Sequence, residues 1–286
     1  MSVRSKGMSL RKLLGLLISY GVLILVTVVL MLPVFWFLLT SVKAESEFVS
    51  WPIRVFPAVP QWSNYVKAVT WFPFARHAWN SFFLATTTSI LTIITSSLAG
   101  FAFARINVPE RNKLFRVIIA MLIVPGIVTL IPQFIVYARL KLTNTYWPWI
   151  LGALSGSPYF IFMFRQFFTG IPRELEDAAE VDGAGPFRIF WQIFLPNSLP
   201  VIATAFIFNF NGVWGDWLMP TLYLTDRNTT LAVKLAQGIR NPHAESVFIY
   251  TVSMAGCVIF ILPMVITFFL AQRHILQGVV TSGLKG

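Results

Sequence analysis

The chain has 286 residues, 56% hydrophobic and only 12% charged, with a mean hydropathy of +0.72. Soluble domains carry roughly 25% charged residues, so this composition excludes a water-covered globule and requires lipid around it. Lys and Arg number 22 against 11 acids; in so apolar a chain, anionic lipid and membrane topology account for the basic surplus, and nucleic acid is not expected as a partner. The single cysteine, Cys257, excludes an internal disulfide and argues against a Cys-based metal site.

Crossing a bilayer takes about 20 apolar residues. Residues 13–39 carry no charge, behind a basic start with Arg4, Lys6, Arg11 and Lys12. The run exceeds the roughly 7–15 residues of a signal peptide, and no small-x-small cleavage site follows, so a retained first helix is expected, bent or interrupted near Pro33. A long loop at 43–80 comes next, rich in aromatics (Trp51, Trp62, Tyr65, Trp71, Phe72, Trp79) and punctuated by Pro52, Pro57 and Pro60. It fits an interfacial aromatic belt or a surface for an external partner.

Five further apolar runs follow, at 81–104, 117–138, 146–164, 199–224 and 248–270. Asp216 is the only Asp, Glu, Lys, Arg or His within them, at the rim between Trp214 and Trp217. The expectation is an all-α polytopic membrane protein with six transmembrane helices. Placing both termini in the cytoplasm puts 13 Lys and Arg on the inner side against 9 outside, the bias expected of membrane topology. Three regions result: 1–79 with the first helix and outer loop, a core at 80–271, and a cytoplasmic tail at 272–286. Breakers and amides interrupt several runs: Pro125-Gly126 and Pro132-Gln133, Asn209 and Asn211, Gly256 and Pro263. In lipid such groups must be satisfied by neighbouring helices or by a water-filled cavity, so they mark helix packing or a pathway lining. Gln133, Asn209 and Asn211 carry the side-chain amides that such a pathway would present and are the pathway candidates.

Between the fourth and fifth runs, five of the 11 acids crowd into nine residues: Glu174, Glu176, Asp177, Glu180 and Asp182. Pro172 suits a first helical turn, the acids suit a helix N-terminus, and Gly183 can end the helix in a left-handed conformation. Pro186 can start a second helix through Trp191, and Pro196 and Pro200 then lead into the fifth run. The expectation is helix, glycine turn, helix on the cytoplasmic face. Leu175, Ala178, Ala179 and Asp182 share one side at helical spacing, and an acidic, solvated side lies opposite. The apolar residues Leu175, Val181, Phe187, Phe190 and Phe194 on such a loop make either a docking knob or a pair of amphipathic helices lying on their own bundle.

The segment resembles the EAA loop of the membrane subunits of bacterial ABC importers, whose pattern is E-A-A, three residues, G, nine residues, I-x-L-P. Asp177-Ala178-Ala179 is followed after three residues by Gly183, and after nine more by Ile193-Phe194-Leu195-Pro196. Asp stands in the first place for Glu. The run 208–235, with Trp214-Gly215-Asp216-Trp217, and the closing stretch QRHILQGVVTSGLKG are similar to the carbohydrate branch of that family. The resemblance implies a helix–turn–helix coupling loop at 172–197 that seats on a cytoplasmic ATPase through Glu176, Asp177, Ala178, Ala179, Asp182, Gly183, Ile193, Leu195 and Pro196. It also implies a second homologous permease subunit, two ATPase subunits carrying ATP and Mg, an extracytoplasmic solute-binding protein, and a sugar moved by alternating access. The chain contains no G-x-x-x-x-G-K-[ST], no HExxH and no adjacent Ser/His/Asp set, so neither enzymatic activity nor a cofactor is expected of it alone. The competing readings are an importer subunit for a glycerol phosphate ester, and a self-sufficient secondary transporter or channel. The latter would usually show intramembrane ionisable residues or inverted repeats.

Overall fold

The computed structural model describes residues 10–243 and 247–283. These residues are helical apart from their connections, with no strand among them and one isolated bridge between Arg240 and Phe248. In chain order the helices are α1 (Leu10–Ser41), α2 (Glu45–Phe48), α3 (Ser63–Thr70), α4 (Phe74–Arg105), α5 (Arg111–Met121), α6 (Gly126–Arg139), α7 (Trp147–Leu154) and α8 (Pro158–Thr169). They continue with α9 (Glu174–Val181), α10 (Pro186–Ile189), a π-helical turn at Phe190–Phe194, α11 (Leu195–Asn197), α12 (Leu199–Trp214), α13 (Leu218–Tyr223), α14 (Leu231–Ala236) and α15 (Tyr250–Gly283). The tail expected from 272 continues α15 to Gly283; residues 1–9 and 284–286 of the two termini lie outside the described residues.

Six spanning helices were expected, and three helices are single pieces long and apolar enough to cross: Leu14–Ser41, Phe74–Arg105 and Tyr250–Leu270. Two bent pairs raise the number to five. The 117–138 run breaks by 95° between α5 and α6, where Pro125 precedes Gly126. The residue before a proline avoids the α region, and proline itself brings no N–H to a helix. The 146–164 run divides into α7 and α8 across Gly156, whose φ is +75, and Pro158. At about 1.5 Å per residue neither half crosses a bilayer alone. Hydropathy detects these runs but not the breaks inside them.

The chain forms two compact units. The first comprises Met1–Phe72 and Gly238–Ile259. Here α1 continues through Pro33 as one helix rather than being interrupted there, and the side chains of its apolar window are exposed. Beyond it, Lys43 is buried, donating from Nζ to the Arg54 carbonyl at 2.6 Å and lying 4.3 Å over the Trp36 ring. Asn64 Nδ2 donates to the carbonyls of Ser41 and Lys43 at 3.0 and 2.8 Å. These bonds fold the aromatic loop back on the end of α1, while Trp51 and Trp62 remain exposed. The Glu45 carboxylate accepts from the backbone N–H groups of Tyr250 and Thr251 and from Thr251 Oγ1 at 2.8–3.0 Å. It thereby caps the start of α15 with negative charge.

The second unit comprises Pro73–Gln237 and Phe260–Gly286 and is built around α4. Its buried residues include Ser81, Thr88, Ser89, Thr92, Ser96, Ser97 and Gly100, small side chains that let other helices approach closely. Some of the α4 hydroxyls bond across helices: Thr95 Oγ1 donates to the Ala153 carbonyl at 2.8 Å, and Ser96 Oγ accepts from the Ser157 N–H at 3.0 Å. The approach is tightest at Gly100, where an added Cβ would meet Phe164 Cβ at 2.6 Å and the Arg165 backbone nitrogen at 3.0 Å. Gly100→Val therefore lowers stability by about 1–3 kcal/mol, as overpacking does. Gly212→Ala, in open space on α12, does not. Thermal unfolding of the detergent-purified chain distinguishes the two.

Candidate functional site

The acidic segment begins where α8 ends. Pro172 precedes the N-cap, Arg173, rather than occupying the first turn, and Glu174, Glu176 and Asp177 fill that turn. The helix stops at Gly183 with a φ of +77. Ala184 N–H reaches the Ala179 carbonyl and Gly183 N–H the Glu180 carbonyl, both at 2.9 Å, the paired bonds of a Schellman stop. Gly185 and Pro186 open α10, which runs into the π-helical turn Phe190–Phe194 and then α11. Ser198, fully buried, donates from Oγ to the Phe194 carbonyl at 2.5 Å, and the chain bends by 79° into α12. The expected second helix thus exists but is longer, and it carries a π-turn of the kind found mostly as single turns at functional positions.

The inner side of this segment is seated on the bundle. Phe168, Phe190 and Phe194 are buried with Phe101 of α4, in ring pairs 4.9–6.5 Å apart between centroids. Ala179, Ala184, Ile193 and Leu195 pack against the same cluster. Glu176 also faces inward. Its Oε2 lies 3.4 Å from Arg105 Nη1, with the two side chains 17% and 5% exposed. Burial raises the Glu176 carboxyl above the ordinary carboxylate range, with Arg105 pulling it back in part. The acidic side is therefore not wholly solvated, and the expected grouping of Ala179 with Ala178 is divided: Ala178 is exposed and Ala179 is half-buried.

The outer side holds Asp177, Ala178, Asp182 and Pro196, all exposed. Among them stand exposed apolar side chains, Val181 at 87%, Phe187 at 68% and Leu175 at 47%. Exposed apolar groups on a segment otherwise packed inward mark a surface that lipid or another molecule covers. The pathway candidates lie on α12 and α6. Asn209 Nδ2 donates to Ser89 Oγ at 3.0 Å, Asn211 Oδ1 accepts from Thr267 Oγ1 at 3.4 Å, and Gln133 lies exposed on α6. Among the described residues no hydrogen bond joins the three. Asp216 accepts from the Leu218 and Met219 N–H groups at 2.9 and 3.2 Å, starting α13. Sequence reasoning missed Arg105, which it counted only as a basic residue of an inner loop. The available signal was a lone arginine closing a long apolar helix.

The profile of the family described as the binding-protein-dependent transport system inner membrane component matches residues 93–281. The chain belongs to that family. It is 33% identical over 256 residues to the sulfoquinovosyl glycerol transport system permease protein of Agrobacterium fabrum, covering 89% of this chain and 88% of the relative. It is 30% identical over 269 residues to the diacetylchitobiose uptake system permease protein of Streptomyces coelicolor, covering 93% and 87%. In fold it is similar to a chain of a bacterial ABC transporter involved in the import of the acidic polysaccharide alginate. The TM-score there is 0.83 at 18% identity, covering 95% of this chain and 100% of that one. This inner membrane component is thus an all-helical multi-pass membrane protein of a permease family, and the match spans the whole acidic segment.

Gly183 supplies a direct test of the turn. Nothing lies within 4 Å of its absent Cβ, so the cost of a side chain there is conformational alone. Gly183→Val loses about 1–2 kcal/mol. Gly185→Ala, at φ −75, changes stability by less than about 1 kcal/mol. Denaturant unfolding followed at the segment's own Trp191 reads both.

Proposed function

We propose that this chain is one of two membrane subunits of an ATP-driven importer for a sugar-type solute, and that segment 172–197 is its coupling loop. The observation that carries this reading is the two-sidedness of the segment: an inner side fixed to the bundle by aromatics and an ion pair, and an outer side presenting Val181, Phe187 and Leu175 with acids around them. A cytoplasmic ATPase supplies the cover such a surface requires, with an apolar groove for the knobs and basic groups for Asp177 and Asp182. ATP-driven closure of the two ATPase subunits then draws the docked loops together, and the pathway between the membrane subunits turns outward. In this reading both termini are cytoplasmic, and ATP and Mg are bound by the ATPase subunits. The sugar assignment rests on the two relatives named for sulfoquinovosyl glycerol and diacetylchitobiose, with an extracytoplasmic solute-binding protein delivering the solute.

The hydrogen bonds of Asn209 and Asn211 fit either a packing role or amides available to a solute after rearrangement. Asn209→Ala distinguishes these by solute uptake at unchanged complex yield. For the loop, Phe187→Asp or Val181→Asp places a charge where apolar contact is required. Each reduces the ATPase recovered with the affinity-purified chain about tenfold or more, the scale of an interface hot spot. Undiminished ATPase recovery in both variants contradicts the reading.

A further inference from the structure

The coupling helix α9 is weakly attached for a lever. It has eight residues, none of them buried, and its flanks are Gly170 on one side and Gly183 and Gly185 on the other. Among the described residues, Ala179 is the member of α9 that packs on the aromatic cluster of the bundle. Its polar attachment is Glu176, and the partner is Arg105 at the last turn of α4.

Arg105 does more than meet that carboxylate. From Nη2 it donates to the Phe168 carbonyl at 2.8 Å, in the last turn of α8, and to the Ile171 carbonyl just beyond it. Its guanidinium lies 5.0 Å from the centroid of the Phe194 ring, in the π-turn that leads toward α12. One planar fork therefore touches the end of α4, the end of α8, the coupling helix and the turn before α12. A guanidinium suits this position because it presents several donors in one fixed plane, which an ammonium does not.

We propose that Arg105 is a positioning residue that passes the displacement of the coupling helix to α4, α8 and α12 through its ion pair with Glu176. The proposal rests on segment 172–197 being the coupling loop. It goes beyond that reading by assigning the transmission step to an intrachain link rather than to the chain connections at Gly170 and Gly183. Without the link, α9 would turn on its glycine flanks while the membrane helices stayed still. Stability alone gives little reason for the pair. Burial raises the Glu176 carboxyl despite the nearby cation, and replacing a buried pair by apolar side chains is often neutral or stabilising.

The test uses the complete complex purified with its ATPase subunits in lipid nanodiscs, with Cys257→Ala and one reporter thiol at a time. Glu174→Cys, exposed on α9, reports on the coupling helix, and Phe208→Cys, exposed on α12, reports on the membrane helices. Both carry an environment-sensitive fluorophore, and ATP with vanadate is the probe. With the native pair both reporters respond. In Glu176→Gln and in Arg105→Gln the Glu174 reporter still responds, while the Phe208 response falls at least about fivefold, a coupling free energy of ordinary allosteric size. The double variant falls no further than either single one. Glu176→Gln leaves the carbonyl bonds of Arg105 in place, so it carries the test by itself where Arg105→Gln fails to assemble. A structural role would lower complex yield and both responses alike, which overturns the proposal. So does a full Phe208 response in Glu176→Gln. A Glu174 reporter that is silent in the otherwise native complex overturns the coupling-loop reading and the proposal with it.

Discussion

Arg105 holds its charge at the end of a long apolar helix, 5% exposed, and the arrangement of the neighbouring segment follows from satisfying it. A buried cation is costly unless it is paired, and here the partners of Nη1 and Nη2 are the carboxylate of α9 and carbonyls at the end of α8, with the ring of Phe194 beside the guanidinium, while Nε has no hydrogen-bond partner among the described residues. Bringing these together fixes the direction in which the chain leaves α8 and the side that α9 turns inward. Phe168, Phe190 and Phe194 then fill the space beneath with Phe101. The outer side is what remains, and it is where Val181 and Phe187 stand exposed.

The second constraint is the bilayer's demand that every backbone polar group be met internally. It explains why the chain is helical throughout its spans and why α4 is lined with serine, threonine and glycine. Hydroxyls such as Thr95 and Ser96 meet backbone groups of the α7–α8 region, which is where that region breaks. The breaks are accordingly not defects: each occurs beside side chains able to bond the groups it frees.

Part of this was legible in the sequence. Gly183, Pro186 and the crowded acids act locally, and helix, turn and helix could be read from them because capping and left-handed turns involve only near neighbours. The spaced residues from Asp177 to Pro196 likewise carried the family. Orientation was not legible. Ala178 and Ala179 are chemically identical, and periodicity cannot say which one meets the bundle. Glu176 looked like one more solvated acid because its partner lies 71 positions earlier. Nor did hydropathy reveal that 146–164 is two helices, since Gly156 and Pro158 scarcely lower the average of the aromatic run around them. Asn209 shows the reverse case: it was correctly marked as a group needing a partner, but sequence could not decide between Ser89 and a solute.

The central claim, that the outer side of segment 172–197 seats on an ATP-hydrolysing subunit, is tested most directly by site-directed crosslinking in the intact membrane. A photoreactive side chain at Val181 or Phe187 forms an adduct with a protein bearing a phosphate-binding loop, while the same group at half-buried Ala179 yields only products within the chain. Adducts from all three positions to lipid or to no protein, or labelling of Val181→Cys by a membrane-impermeant thiol reagent added outside whole cells, would contradict the account.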